Sequence, residues 1–151
     1  GYRMNHSKRD YRREQKEEML QVVICCKTVN KEVLRLKQHI ELFENKLAAR
    51  KDEETVMQNV AEVLYFESVD NRTFLYTERE VLEVKQRLYE LEDVLSEKDF
   101  IRISKSQIVN VNKIHALRPE LNRTIEATMC NGERLSISRK YAAAVRELLE
   151  L

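Results

Sequence analysis

Two short stretches carry the side chains best suited to chemistry on a polyanion. The first is Ser104-Lys105-Ser106, where the alternating apolar run Ile101 and Ile103 breaks for two hydroxyls and a cation before Ile108, Val109 and Val111 resume it. Such a step supplies donors for phosphate oxygens and reach towards a base edge. The plainer alternative is a polar strand end. The second stretch is Ser138-Arg139-Lys140, just ahead of the helical pattern YAAAVRELLEL. Ser138 is a natural N-cap, and Tyr141, Val145 and Leu148 form the expected buried stripe. Two cations in a helix's first turn oppose its dipole by roughly 0.3–1 kcal/mol each. The placement is a small inefficiency unless a phosphate meets the free N–H groups there.

Charge distribution bears on both stretches. Between Arg102 and Arg146 stand nine basic residues against three acidic ones, so this part is +6 while the remainder of a chain of net charge +1 is −5. A local excess of that size suggests a polyanion-binding surface on the C-terminal part. Enzymatic chemistry has little to work with. His6, His39 and His115 stand apart, and no glycine-rich phosphate loop, H-x-x-x-H or G-x-S-x-G is present. No catalytic residue, metal ligand, cofactor or small-molecule substrate is therefore expected. The longest apolar run, Val22 to Cys26, is too short to span a bilayer, and no signal-peptide pattern precedes it. Cys25, Cys26 and Cys130 form no C-x-x-C pair, which suits reduced, buried thiols in a cytoplasmic protein.

The elements that must hold these stretches follow from periodicity. The 151 residues fit one domain with a small N-terminal extension. Residues 1–16, highly charged and poor in aliphatics, read as a flexible arm whose Arg3, Lys8, Arg9, Arg12 and Arg13 suit a nucleic-acid backbone. Residues 17–59 read as a strand–helix–strand extension. Met19 to Thr28 is a strand with Leu20, Val22, Ile24 and Cys26 on one face. Asn30 caps a helix to about Glu44, with Val33, Leu36, Ile40, Phe43 and Leu47 as its apolar stripe. That stripe fits either a helix docked on its own sheet or a self-association surface. Residues 60–151 form the remaining domain. There VLYFES and Thr73 to Thr77 are strands around an Asp70-Asn71 turn, and a helix is expected from about Leu82 to Leu95 on the stripe Val84, Leu88, Leu91 and Leu95.

Register decides the last hairpin. A two-residue Asn131-Gly132 loop would set the apolar positions of the two strands on opposite faces. A three-residue loop, Cys130-Asn131-Gly132, pairs Met129 with Glu133, Ala127 with Leu135 and Ile125 with Ile137, giving one apolar face. The expected turn is type I, with Gly132 left-handed in a bulge.

The segments VLYFESVDNRTFLYT, RLYELEDVL, FIRISKSQIVNVNKI and MCNGERLSISRKYAAAVREL resemble, in that order, a LytTR-type DNA-binding domain over about Val60 to Leu149. The resemblance implies a mainly β (α+β) fold of antiparallel sheets with short covering helices, whose loops enter successive major grooves of repeated promoter half-sites. It implies a bacterial, cytoplasmic transcription regulator that is nucleoid-associated when bound, a homodimer on double-stranded promoter DNA, with a membrane-protein antagonist as a partner known among stand-alone members. About sixty residues precede the match, which resembles those members rather than ones with a receiver domain. By position, the base contacts implied are Arg139, Lys105, and Arg72 or Thr73. Phosphate contacts would come from Ser104, Ser106, Ser138, Lys140, Arg102 and Asn71. Where relatives often carry His-Arg-Ser, this chain has Ser104-Lys105-Ser106. An ammonium there loses the planar fork that suits guanine and keeps the phosphate contact. Two other classes compete: a self-association module using the Val33–Leu47 stripe, and an RNA-binding sheet stacking bases on Tyr65, Phe66, Phe74 and Tyr76.

Overall fold

The computed structural model describes residues 2–5, 11–14, 19–43 and 45–150, and the chain divides into two compact units, 1–47 and 48–151. Unit one holds β1 (Tyr2–Asn5), β2 (Tyr11–Glu14), β3 (Met19–Cys25) and α1 (Lys31–Phe43). Its sheet runs β1-β3-β2, so residues 2–5 and 11–14, expected in a flexible arm, pair instead with the two edges of the apolar strand. Backbone donors and acceptors make that ladder, so it needs no apolar side chains. The rest of the expected arm lies outside the described residues. In β3, Val23 is buried alongside Ile24, so the strand buries both faces rather than one. Asn30 caps α1 as expected, its Oδ1 accepting from the Val33 amide at 3.0 Å. Leu36 and Leu34 are exposed, however, and Leu47 lies on the next strand rather than on the helical stripe.

That next strand, β4 (Lys46–Lys51), is followed by β5 (Glu54–Asn59), β6 (Tyr65–Val69), β7 (Arg72–Tyr76) and β8 (Val81–Val84). Then come α2 (Leu88–Leu95), β9 (Phe100–Ser104) and β10 (Gln107–Asn110). β11 (Ile114–Pro119), β12 (Ile125–Met129), β13 (Arg134–Ile137) and α3 (Arg139–Leu148) complete the chain. Seven strands form one sheet in the order β5-β4-β8-β7-β6-β10-β9, and β11-β12-β13 form another. Strand alternation gives the large sheet two apolar faces. Tyr65, Ile103 and Val109 join Ile125, Ala127, Met129, Leu135 and Ile137 of the small sheet and Ala142 and Val145 of α3 in one core. On the other face Phe66 meets the Phe100 ring at 5.6 Å, and α2 packs against β6, β9 and β10.

Three local readings change. Val81 to Val84 is a strand, with Leu82 and Val84 buried at period two and paired to β7, so α2 begins only at Leu88. Val84 and Leu88 lie four apart by coincidence of strand spacing and helix spacing. On α3 the buried residues are Ala142 and Val145, while Tyr141 is half-buried and Leu148 is exposed. An alanine lets the helix backbone approach β9 closely, which rotates the contact face away from the larger side chains. Cys130 is exposed rather than buried, its thiol donating to Glu78 Oε1 at 3.2 Å. All three cysteines are free.

The β12–β13 hairpin has the expected register, Ile125 with Ile137 and Ala127 with Leu135. Gly132 sits at φ 92°, its amide donating to the Met129 carbonyl at 2.9 Å. A Cβ at Gly132 would meet nothing within 4 Å, so only backbone strain opposes a side chain there. Gly132→Ala should therefore lower unfolding stability by about 1–2 kcal/mol, measured by urea denaturation, without altering the register.

Candidate nucleic-acid interface

Three loops converge on one edge of the second unit, and main-chain hydrogen bonds tie them together. Asp70 and Asn71 form the two-residue tip between β6 and β7, with φ of 51° and 63°. Such a turn needs positive φ at both positions, which Asp and Asn tolerate better than most residues. Lys105 and Ser106 form the tip between β9 and β10, beside a register shift at Gln107/Ile108. The Ser68 amide donates to the Ser106 carbonyl at 2.8 Å, joining these two tips. The Ser138 amide donates to the Ile103 carbonyl at 2.9 Å, which fixes the start of α3 beside β9.

The Lys105 tip is held so that its acceptors face inward. Arg102 donates through Nε to the Ser104 carbonyl at 2.6 Å and through Nη2 to the Lys105 carbonyl, while its Nη1 reaches Glu92 Oε2 at 3.0 Å. With Ser68 on the Ser106 carbonyl, three consecutive carbonyls are engaged within the protein. The tip exposes Lys105, while Ser104 and Ser106 on either side are half-buried, their hydroxyl oxygens 3.5 Å apart. The Ser106 amide donates to Ser104 Oγ at 3.2 Å. A surface of donors and positive charge is what a phosphodiester requires.

Arg139 begins α3 exposed, its side chain making no hydrogen bond or ion pair to another described residue. Lys140, next to it, is exposed with its Nζ 5.5 Å above the Tyr141 ring. Ser138 adopts the extended N-cap backbone (φ −66°, ψ 156°), and its hydroxyl caps no helical amide. The Tyr141 and Ala142 amides donate to the Ser138 carbonyl at 3.0 and 2.8 Å, which starts the helix directly beneath the two exposed cations.

A row of register partners crosses the large sheet just behind the tips: Arg50, Glu83, Phe74, Glu67, Gln107, Ser104. Arg72 lies over the Phe74 ring at 5.2 Å and forks onto Glu83, with Nε–Oε2 at 2.9 Å and Nη2–Oε1 at 2.8 Å. That fork raises the guanidinium's pKa and lowers the carboxyl's. Gln107 donates to Glu67 at 2.7 Å, and the Tyr76 hydroxyl donates to the same carboxylate at 3.1 Å. Tyr65 stacks on Tyr76 with centroids 4.3 Å apart and donates to Glu133 at 2.8 Å. Burial first, and then the neighbouring carboxylates, push both phenols above the ordinary range. This network braces the sheet behind the tips.

The family model for the LytTr DNA-binding domain matches residues 53–150. The chain belongs to the LytTR DNA-binding domain family. A solved LytTr DNA-binding domain from Bacillus cereus superposes with TM-score 0.68 at 33% identity, covering 71% of this chain and 98% of that one. The sensory transduction protein LytT of Bacillus subtilis is 28% identical over 125 residues, which is 83% of this chain and 52% of that protein. LytT of Bacillus anthracis is 32% identical over 107 residues, 71% of this chain and 44% of that protein. The chain thus spans about half the length of these LytT relatives. An uncharacterized HTH-type transcriptional regulator of Staphylococcus aureus is 35% identical over 100 residues, 66% of this chain and 67% of that protein. DNA binding in transcription regulation is the family's role. Among the described residues no two α-helices follow each other without a strand between, so this LytTR domain contains no helix–turn–helix.

Set on this edge, the residues expected to meet DNA sort by what holds them. Lys105, Arg139, Lys140, Ser104, Ser106, Ser138 and Asn71 lie along it. Thr73 is 3% exposed and faces inward with Leu75, so it is not presented to a base. Arg102 is a strut: its side chain is 17% exposed and its guanidinium is engaged by Glu92 and two carbonyls. Arg72 is on the surface but forked onto Glu83. The aromatic platform considered for RNA is not an open surface, since Phe66 and Tyr65 are buried and Phe74 lies beneath Arg72. Sequence reading passed over Arg87, whose Nη1 donates to the Asn71 carbonyl at 3.1 Å. A cation immediately before the first helical leucine was the available signal. The described residues contain no group of His, Cys, Asp and Glu able to hold a metal ion. No described helix is long and apolar enough to cross a membrane.

Removing the strut tests the tip. Arg102→Ala should cost about 1.5–3 kcal/mol, the value of a hydrogen bond to a charged group, and should speed amide exchange at Lys105 and Ser106. Urea denaturation and hydrogen exchange by NMR measure the two effects.

Proposed function

We propose that this chain reads double-stranded promoter DNA with the linked edge, setting the Asp70–Asn71 tip, the Lys105 tip and the start of α3 into successive major grooves of repeated half-sites. The observation that carries this reading is the continuity of the edge: Ser68–Ser106 and Ile103–Ser138 hydrogen bonds hold the three loops in one row. Arg139 is the principal base reader, because its unengaged fork matches guanine O6 and N7 and the first turn of α3 fixes its base. Lys105 supplies a point charge that reaches phosphate or a base edge. Ser104, Ser106, Ser138, Lys140 and Asn71 set the register on the backbone. Arg72 contributes a contact only by trading Glu83 for DNA. Two protomers occupy a paired site, and the exposed Leu36 of α1, on one helical stripe with the half-buried Val33 and Ile40, supplies apolar surface for their association.

Arg139→Ala and Lys105→Ala separate reading from positioning on a duplex selected from a randomised pool and on a scrambled duplex. Arg139→Ala should lose about 1–3 kcal/mol on the selected duplex and relax preference at one base pair. Lys105→Ala should weaken both duplexes alike and lower the salt slope by roughly one unit. Equal losses on both duplexes for Arg139→Ala would remove it as a base reader. Sedimentation of the selected complex should show two protomers per duplex, and a single protomer would contradict the pairing.

A further inference from the structure

Beyond the Asp70–Asn71 tip the same edge continues into β8 and β4, a region in the half of the chain whose net charge is negative. Here the structure gathers cations that sequence distance conceals. Arg50, Arg72, Lys85 and Arg87 line one polar recess with Asn71 and Glu83. Arg50, Lys85 and Arg87 are exposed. Arg50 pairs with Glu83 in the row of register partners that ends at Ser104, so it stands at the same level of the sheet as the Lys105 tip. Arg87 is joined to the Asn71 tip through the 3.1 Å bond to its carbonyl. Of the nearby acids, Glu83 is neutralised by the Arg72 fork, while Asp70 in the turn and Glu90, whose Oε1 accepts from the Arg87 amide at 3.1 Å, offset part of the remaining charge. Arg50, Lys85 and Arg87 against these two acids leave a net positive excess.

We infer that Arg50, Lys85 and Arg87 form a phosphate shelf that extends the DNA track past the β6–β7 tip and grips the backbone outside the base-read positions. The inference rests on the proposed use of this edge to bind duplex DNA. Two further strands, β8 and β4, carry the shelf about 10 Å beyond β7 at a strand spacing of about 4.8 Å. At about 3.4 Å per base pair that length covers roughly three base pairs of flanking duplex. The contacts are to phosphates, so the shelf adds affinity and salt dependence without adding base preference. Glu83 keeps Arg72 from joining the excess, and the shelf cations act from positions that do not compete with that fork.

The test uses the full chain and the duplex selected from a randomised pool, carried with long flanks and with each flank trimmed by about three base pairs, the length of the shelf. The double variant Arg50→Gln/Lys85→Gln leaves the Arg72–Glu83 fork and the Arg87–Asn71 bond in place. For two phosphate contacts at a slope of about 0.9 each, the wild type's loss of affinity from 50 to 200 mM salt should exceed the variant's by roughly tenfold. The wild type should also lose affinity when one flank is trimmed, whereas the double variant, left with Arg87 alone on the shelf, should lose distinctly less. Arg87→Gln measured separately should lower the salt slope in the same direction. A double variant with the wild-type salt slope and the wild-type response to trimming would overturn the shelf while leaving DNA binding by the tips intact. Failure of the wild type to bind any duplex would overturn both.

Discussion

The Ser68 amide meets the Ser106 carbonyl at 2.8 Å, one step beyond the last paired residues of β6 and β10. That bond carries the ladder into the turn and sets two hairpin tips side by side. A backbone donor at a strand end ordinarily goes to water, and a tip held only by its own turn residues is free to sway. Here the neighbouring tip supplies the acceptor. Arg102 then clamps the two preceding carbonyls from the opposite side. The electrostatic outcome follows from the geometry, because the carbonyls of residues 104–106 are met by donors of the protein and the exposed Lys105 ammonium is left as the charge of the tip. Arg139 adds a cation to the same row only because the Ser138 amide is tied to Ile103.

The core explains why this edge can be rigid without a recognition helix. Tyr65, Ile103 and Val109 on one face of the large sheet pack with the β12–β13 hairpin and α3. Phe66 and Phe100 on the other face meet beneath α2. Both faces of β6, β9 and β10 are therefore covered, and what remains open is the end from which the tips project. The polar row behind the tips adds cross-strand ties from Glu83 to Arg72 and from Glu67 to Gln107 and Tyr76. Each such tie is modest alone, but together they restrict how the strands twist against each other.

Much of this was legible in the chain. The β12–β13 register followed from requiring one apolar face, because only a three-residue loop satisfies it. The places of Asp70-Asn71, Lys105 and Arg139 at two strand tips and a helix start were legible because turn chemistry, an interrupted apolar alternation and misplaced helix charges are local signals. What escaped reading was non-local or degenerate. Val84 satisfies both a strand of period two and a helix ending at Leu95, and only pairing with β7 decides between them. Thr73 and Arg72 are adjacent, so sequence offers both, while strand alternation buries one. Arg102 looks like one more cation in a basic stretch until the carbonyls and Glu92 around it are placed. Arg50, Lys85 and Arg87 come together only through β4–β8 pairing, which joins residues more than thirty positions apart.

The central claim is that the hydrogen-bonded row of tips is the surface that meets DNA. Hydrogen–deuterium exchange on the full chain, free and bound to a duplex selected from a randomised pool, addresses it most directly. Binding should slow exchange at residues 70–72, 104–107 and 138–141, with little change along β11. Protection confined to other segments, with those three unchanged, would contradict the account.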